Sequence, residues 1–160
     1  APSPAVRAAA ARALGAFGPG AKDVAGELAR LLQDADEAVR QAAGEAVGRV
    51  GPLPEAATAT LVEGLSSSDT VVRAQTAEAL GASGEGAAAA APALAAALKD
   101  GTDHVRAKAA EALGKIGESA ADVAVPTLVR ALRDRDGWVS VLAAEALGEM
   151  GDAAVEAVPA

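Results

Sequence analysis

The sequence has no cysteine and no tyrosine, and its 160 residues include only one tryptophan, one phenylalanine, one histidine and one methionine. Without cysteine there are no disulfides, thiolate metal ligands or cysteine nucleophiles, although the redox compartment stays open. A single histidine cannot form the usual zinc site, so no metal, cofactor or catalytic residue is expected. Aromatic residues make up 1% of the chain, which excludes a core built on large rings. Cations are the minority, 14 against 22 anions, for a net charge of −8 and a pI near 4.6. Such a field does not attract nucleic-acid phosphates or anionic lipid, so neither nucleic acid nor membrane is an expected partner, and a basic protein or peptide fits better. Long apolar runs are missing too. The alanine run Ala87 to Ala91 is short and is soon followed by Lys99 and Asp100. Nothing reads as a secretory signal or a spanning segment, and a cytoplasmic location is expected.

What is present is a period. Val6-Arg7, Val39-Arg40, Val72-Arg73 and Val105-Arg106 recur every 33 residues, and Val139-Ser140 follows after 34. Gly15, Gly48, Gly81, Gly114 and Gly148 keep the same phase, as do Gly18, Gly51, Gly84, Gly117 and Gly151. A fixed period of this length marks a solenoid, whose units bury their apolar faces only against their neighbours. Leu28, Leu61, Leu94 and Leu128 form one column, and Leu32, Leu65, Leu98 and Leu132 form another four residues on, which is helical spacing. The expected fold is all-α, a right-handed α-solenoid of two-helix units of about 33 residues. One solenoid would span 1–160: a partial unit at 1–18, whole units at 19–51, 52–84, 85–117 and 118–151, and the start of another at 152–160.

The second helix of each unit is expected to open at Ser3, Asp36, Asp69, Thr102 or Asp136, whose side-chain oxygens can cap free backbone N–H groups. Phe17, Val50, Ile116 and Met150 would extend its buried face, with Ser83 as the polar departure, and the second glycine column would end it as a left-handed cap. The first glycine column lies inside the last turn, where glycine costs about 1 kcal/mol relative to alanine. Close approach of a neighbouring helix is the expected compensation. First helices are expected near 23–33, 55–65, 89–99 and 122–133, with Pro92, Pro126 and Pro159 in one column that marks a helix start or a kink near it.

A period of 33 or 34 also suits ankyrin and tetratricopeptide repeats, but the ankyrin Thr-Pro-Leu-His turn is missing and a chain without tyrosine cannot match the tetratricopeptide aromatics. The segments Val105-Arg-Ala-Lys-Ala-Ala-Glu-Ala-Leu-Gly114 and Val125-Pro126-Thr-Leu-Val-Arg-Ala-Leu-Arg-Asp134 resemble the HEAT-like repeats named for phycobilin lyases, and the resemblance covers nearly the whole chain. It implies architecture and a protein-binding role in general. It also implies that the Arg7, Arg40, Arg73 and Arg106 column, four residues after caps such as Asp36 and Asp69, forms an Asp-Arg ladder between units, broken at Ser140. HEAT-repeat hydroxylases and HEAT-like DNA glycosylases need paired histidines or a basic, aromatic groove, which this sequence does not supply.

Two sets of surface residues are candidates for binding. Glu45, Glu78, Glu111 and Glu145 form an acidic column on the second helices, read either as a solvated face or as a ridge for a basic partner. Val71, His104 and Trp138 occupy one column that grows more apolar and aromatic toward the C-terminus, with Val141 and Leu142 a turn beyond Trp138. This cluster is expected to face outward as an interface anchor, or else to cover the end of the stack. The leading expectation is a noncatalytic scaffold that binds a protein or peptide on a concave face of second helices. The alternatives are a self-assembling module joined end to end and a bilin lyase-like, tetrapyrrole-handling protein.

Overall fold

The computed structural model describes residues 2–156; Pro159 and Ala160, read above as the start of a further helix, lie outside them. Helix α1 (Pro4–Ala16) is followed by α2 (Ala25–Leu31), α3 (Glu37–Val50), α4 (Glu55–Gly64) and α5 (Thr70–Ala82). Then come α6 (Ala91–Ala97), α7 (Asp103–Ile116), α8 (Ala121–Ala131), α9 (Gly137–Met150) and α10 (Asp152–Glu156). No strand occurs among the described residues. The longer helices α1, α3, α5, α7 and α9 pack in sequence order as one layer. Helices α2, α4, α6 and α8 form the other layer, each against the long helix that follows it. The fold is therefore an all-α solenoid.

The core lies between the layers and is made of alanine and aliphatic columns. Leu28, Leu61, Leu94 and Leu128 are fully buried, as are Val39, Val105 and Val139. Phe17 departs from its column. Val50, Ile116 and Met150 have no exposed surface, whereas Phe17 is 72% exposed, because α1 has no described first helix packed on that side. Val6 at 57% and Leu132 at 41% are exposed for the same reason at opposite ends of the stack. Ser83 sits in the core with its hydroxyl donating to the Ala79 carbonyl.

The caps follow the sequence with one exception. Ser3, Asp36, Asp69 and Asp136 each accept from a backbone N–H in the first turn. Thr102 makes no such bond, and the Asp103 carboxylate accepts from the His104 N–H instead. At the other end of the long helices, Gly18, Gly51, Gly84, Gly117 and Gly151 all have positive φ. Three of them are not left-handed helical caps. At Gly51, Gly117 and Gly151 ψ lies between −130° and −148°, the mirror image of extended backbone, which only glycine enters readily.

The first glycine column is a contact between helices. A Cβ on Gly15 would lie 2.7 Å from the Ala46 Cα, and one on Gly81 would lie 2.7 Å from the Ala112 Cα. Gly114 meets Ala146 in the same way, while Gly48 meets the Ala82 Cβ at 3.0 Å. Gly148 has nothing within 4 Å.

First helices begin more variably. Tight 3-10 turns over Gly18–Val24, Gly84–Ala90 and Gly117–Ala120 lead into α2, α6 and α8, whereas Pro54 heads α4 directly. Pro92 falls in the first turn of α6 and Pro126 inside α8, so the proline column marks a helix start in one unit and an interior position in the next.

Candidate binding surface

The Arg column links neighbouring units, at three junctions not through the caps but through an aspartate before them. Arg7 reaches Asp34 at 2.7 Å, Arg73 reaches Asp100 at 2.8 Å and Arg106 reaches Asp134 at 2.8 Å. These aspartates stand two residues before the caps of the following long helices. Each also accepts the backbone N–H of the cap residue, Asp36, Thr102 or Asp136, so a single carboxylate ties both the turn and the junction. The Arg106 guanidinium holds the Asp134 carboxyl below the usual carboxylate range against the opposing effect of burial, and Arg73 does the same for Asp100. Asp34 is lowered by Arg7 and then by the Asp36 N–H.

One rung is missing. The equivalent position after Arg40 is Ser67, and the nearest carboxylate, that of Asp69, is 3.9 Å away. Arg40 is 7% exposed, donates to the Asp34 and Ala35 carbonyls, and keeps its Nε without a partner. The Asp column was absent from the sequence reading. Its signal was available as Asp34, Asp100 and Asp134 in one phase.

The glutamate column lies on the long-helix surface, but its members differ. Lys108 bridges Glu78 at 3.0 Å and Glu111 at 3.3 Å, and Lys115 holds Glu111 at 2.6 Å. Burial works against the charged forms of Lys108 and Glu111, yet Glu78 and Glu111 outweigh it at Lys108, raising its pKa, and Lys115 and Lys108 outweigh it at Glu111, lowering its pKa. Hence Glu111 is occupied by the chain's own cations. Glu45 and Glu145 are exposed and pair with no cation among the described residues. Glu45 and Glu78 flank a groove of about 440 Å³ between α3 and α5, floored by Gly44, Gly48 and Ala82. Gln75 also lines it, with a buried Oε1 that has no hydrogen-bond partner.

The structure divides the apolar candidates. Trp138 is 63% exposed at the start of α9 and shares a shallow groove of about 240 Å³ with His104, Ala107, Asp103 and Asp136. Its backbone N–H is held by the Asp136 carboxylate at 2.9 Å, which fixes where the indole leaves the helix. Val141 is 45% exposed and Val71 41%, both outside that groove. Leu142 does not face outward. It is buried with Val139, Ala143 and Ala146, because position 142 falls on the face of α9 that meets the first-helix layer and α7.

Stacked helix pairs, a glycine-alanine seam and an Arg-Asp ladder define the class: an α-helical repeat solenoid. The sequence profile of HEAT repeats matches residues 1–81, 58–125 and 105–160, and the chain belongs to that family. Among solved structures, the complex of CpcE and CpcF of phycocyanin lyase from Nostoc sp. PCC7120 includes a chain 26% identical, with a TM-score of 0.68 over 92% of this chain and 60% of that one. The chain thus spans about three fifths of that lyase chain. An engineered protein is 24% identical, with a TM-score of 0.63 over 97% of this chain and 80% of that one. A designed armadillo repeat protein in complex with the peptide (KR)4 is 19% identical, with a TM-score of 0.63 over 94% and 79%. No curated protein matches the chain. No described helix is long and apolar enough to cross a membrane.

Proposed function

We propose that the protein is a noncatalytic scaffold that binds a polypeptide segment carrying basic side chains along its long-helix surface, with the Trp138 groove as the anchor. The observation that carries this reading is an indole left 63% exposed in a groove that it shares with two carboxylates and the only histidine. An aromatic face attracts a cation by about 0.5–1 kcal/mol at an exposed site, and the negative charges of Asp103 and Asp136 add to that attraction. Glu145, about two helical turns further along α9, and Glu45 on α3 extend the acidic surface without an internal counter-ion among the described residues. The armadillo neighbour that holds (KR)4 supports such a partner for a stack of this general form. The likeness to a lyase chain supports the tetrapyrrole alternative only at the level of fold and family.

The test is anisotropy of a labelled alternating Lys-Arg octapeptide titrated with the parent protein, Trp138→Ala and Glu145→Lys. An interface anchor is worth about 2 kcal/mol or more, so Trp138→Ala should weaken binding about 30-fold or more without changing the thermal melt. Equal affinity in parent and variant would remove the anchor. End-to-end self-association is a second reading, favoured by Val6, Phe17 and the open space over Gly148, all in columns that are closely packed inside the stack. Concentration-dependent sizing separates it from peptide binding, and sizes independent of concentration would exclude it.

A further inference from the structure

The opposite charge gathers at a different place. Between the C-terminal ends of α6 and α8 lies a groove of about 500 Å³, lined by Lys99, Arg106, Arg130, Arg133 and Arg135 against only Asp100 and Asp134. Both aspartates are already committed, to Arg73 and Arg106 respectively. Among the described residues Lys99, Arg130, Arg133 and Arg135 pair with no carboxylate, although Arg135 donates to the Gly101 carbonyl at 2.9 Å across the junction. Four unpaired cations out of 14 therefore converge on one junction of a chain whose net charge is −8.

The combination is not repeated in the other units. The positions of Arg130, Arg133 and Arg135 hold Ala96, Lys99 and Gly101 one unit earlier, Glu63, Ser66 and Ser68 before that, and in the first unit Arg30, which pairs with Glu27, then Gln33 and Ala35. Shared columns serve the stack, and a combination of three arginines found at one junction alone serves something particular to it. Cations near a helix C-terminus favour the helix dipole, but Arg133 and Arg135 lie beyond the last turn of α8 and gain little from it. Ala95, Leu98 and Ala131, each nearly buried, form an apolar floor beneath the cationic rim.

We infer that this groove binds a short acidic polypeptide segment, whose carboxylates meet the arginine forks while a small apolar side chain rests on the alanine-leucine floor. Guanidinium groups match carboxylates in paired hydrogen bonds, and a groove of this size falls within the range of about 300–1,000 Å³ typical of ligand sites. A long polyanion fits less well, because the net negative charge of the rest of the protein repels it while a short segment meets only the groove. The site is opposite in sign to the Trp138 surface, which it adjoins where Arg106 and Arg135 share a depression with Asp103 and Asp136.

The experiment titrates the protein with a labelled octapeptide of alternating glutamate and alanine, and in parallel with its lysine-alanine counterpart, inorganic phosphate and a labelled twelve-nucleotide DNA strand. The acidic peptide should bind, and Arg130→Glu with Arg133→Glu should weaken it about tenfold or more. Arg135→Ala, an exposed change, should weaken it less, and Trp138→Ala should leave it unchanged. Thermal melts keep these effects apart from unfolding. Absence of acidic-peptide binding, equal affinity in the charge-reversed variant, or tighter capture of the DNA strand or phosphate would overturn the assignment.

Discussion

Gly81 and Gly148 occupy one column of the repeat, and the same substitution should move stability in opposite directions at the two. At Gly81 an added Cβ meets backbone and side chain, 2.7 Å from the Ala112 Cα and 3.0 Å from its Cβ, so α5 and α7 must separate by several tenths of an ångström. Overpacking of this kind costs about 1–3 kcal/mol, against about 1 kcal/mol gained by replacing a helical glycine with alanine. The net expectation for Gly81→Ala is a loss of up to about 2 kcal/mol, and Gly81→Leu should lose more. At Gly148 nothing lies within 4 Å, so the helix term stands alone and Gly148→Ala should gain about 0.5–1 kcal/mol. For a chain of this length each kilocalorie moves the melting midpoint by about 2–4 °C, within reach of circular dichroism. Because stacked repeats can lose cooperativity, amide exchange over α5, α7 and α9 should accompany the melts. Two variants shifting in the same direction would mean that helix propensity alone governs the column, and the close-packing account would fail.

Restoring the missing rung by Ser67→Asp should give Arg40 a forward carboxylate and raise stability by about 1–2 kcal/mol; an unchanged or lower melting midpoint would show that Arg40 is already satisfied where it lies. Asp134→Asn should lose about 1.5–3 kcal/mol at neutral pH by breaking the pair with Arg106. The carboxyls of Asp34, Asp100 and Asp134 are lowered in the folded state, so their stabilisation is complete above the ordinary aspartate value of about 3.9 and disappears as pH falls through the folded-state values. The gap between parent and Asp134→Asn should accordingly close on acidification below about pH 4, and a constant gap from neutral to strongly acid pH would contradict the linkage. At the acidic surface, Glu111→Lys should destabilise by leaving Lys115 unpaired and setting a further cation beside Lys108, which keeps only Glu78, whereas Glu145→Lys should leave the melt within about 0.5 kcal/mol. Equal melts for the two would mean that the lysine bridge contributes nothing.

The sequence by itself determined the class of fold, because a solenoid writes each structural requirement once per unit. Helix starts, the glycine ends of the long helices and the leucine columns could all be read from phase alone, and so could the need for close approach at Gly81. What period could not supply was which way each residue faces at a particular junction. Leu142 and Trp138 are only four residues apart, yet one closes the core and the other stands in solvent, and packing against α7 and the first-helix layer decided between them. The conformation of Gly51 and Gly117 likewise depended on ψ, which sequence phase does not specify. Charge was the least legible quantity. Glu78 read as part of an open ridge until Lys108, from Glu111's own helix α7, was brought across to it. Arg130 and Arg133 became a site only when α8 was laid beside Lys99. Local geometry recurs with the repeat, whereas electrostatic partners come from neighbouring units and are set only when the stack forms.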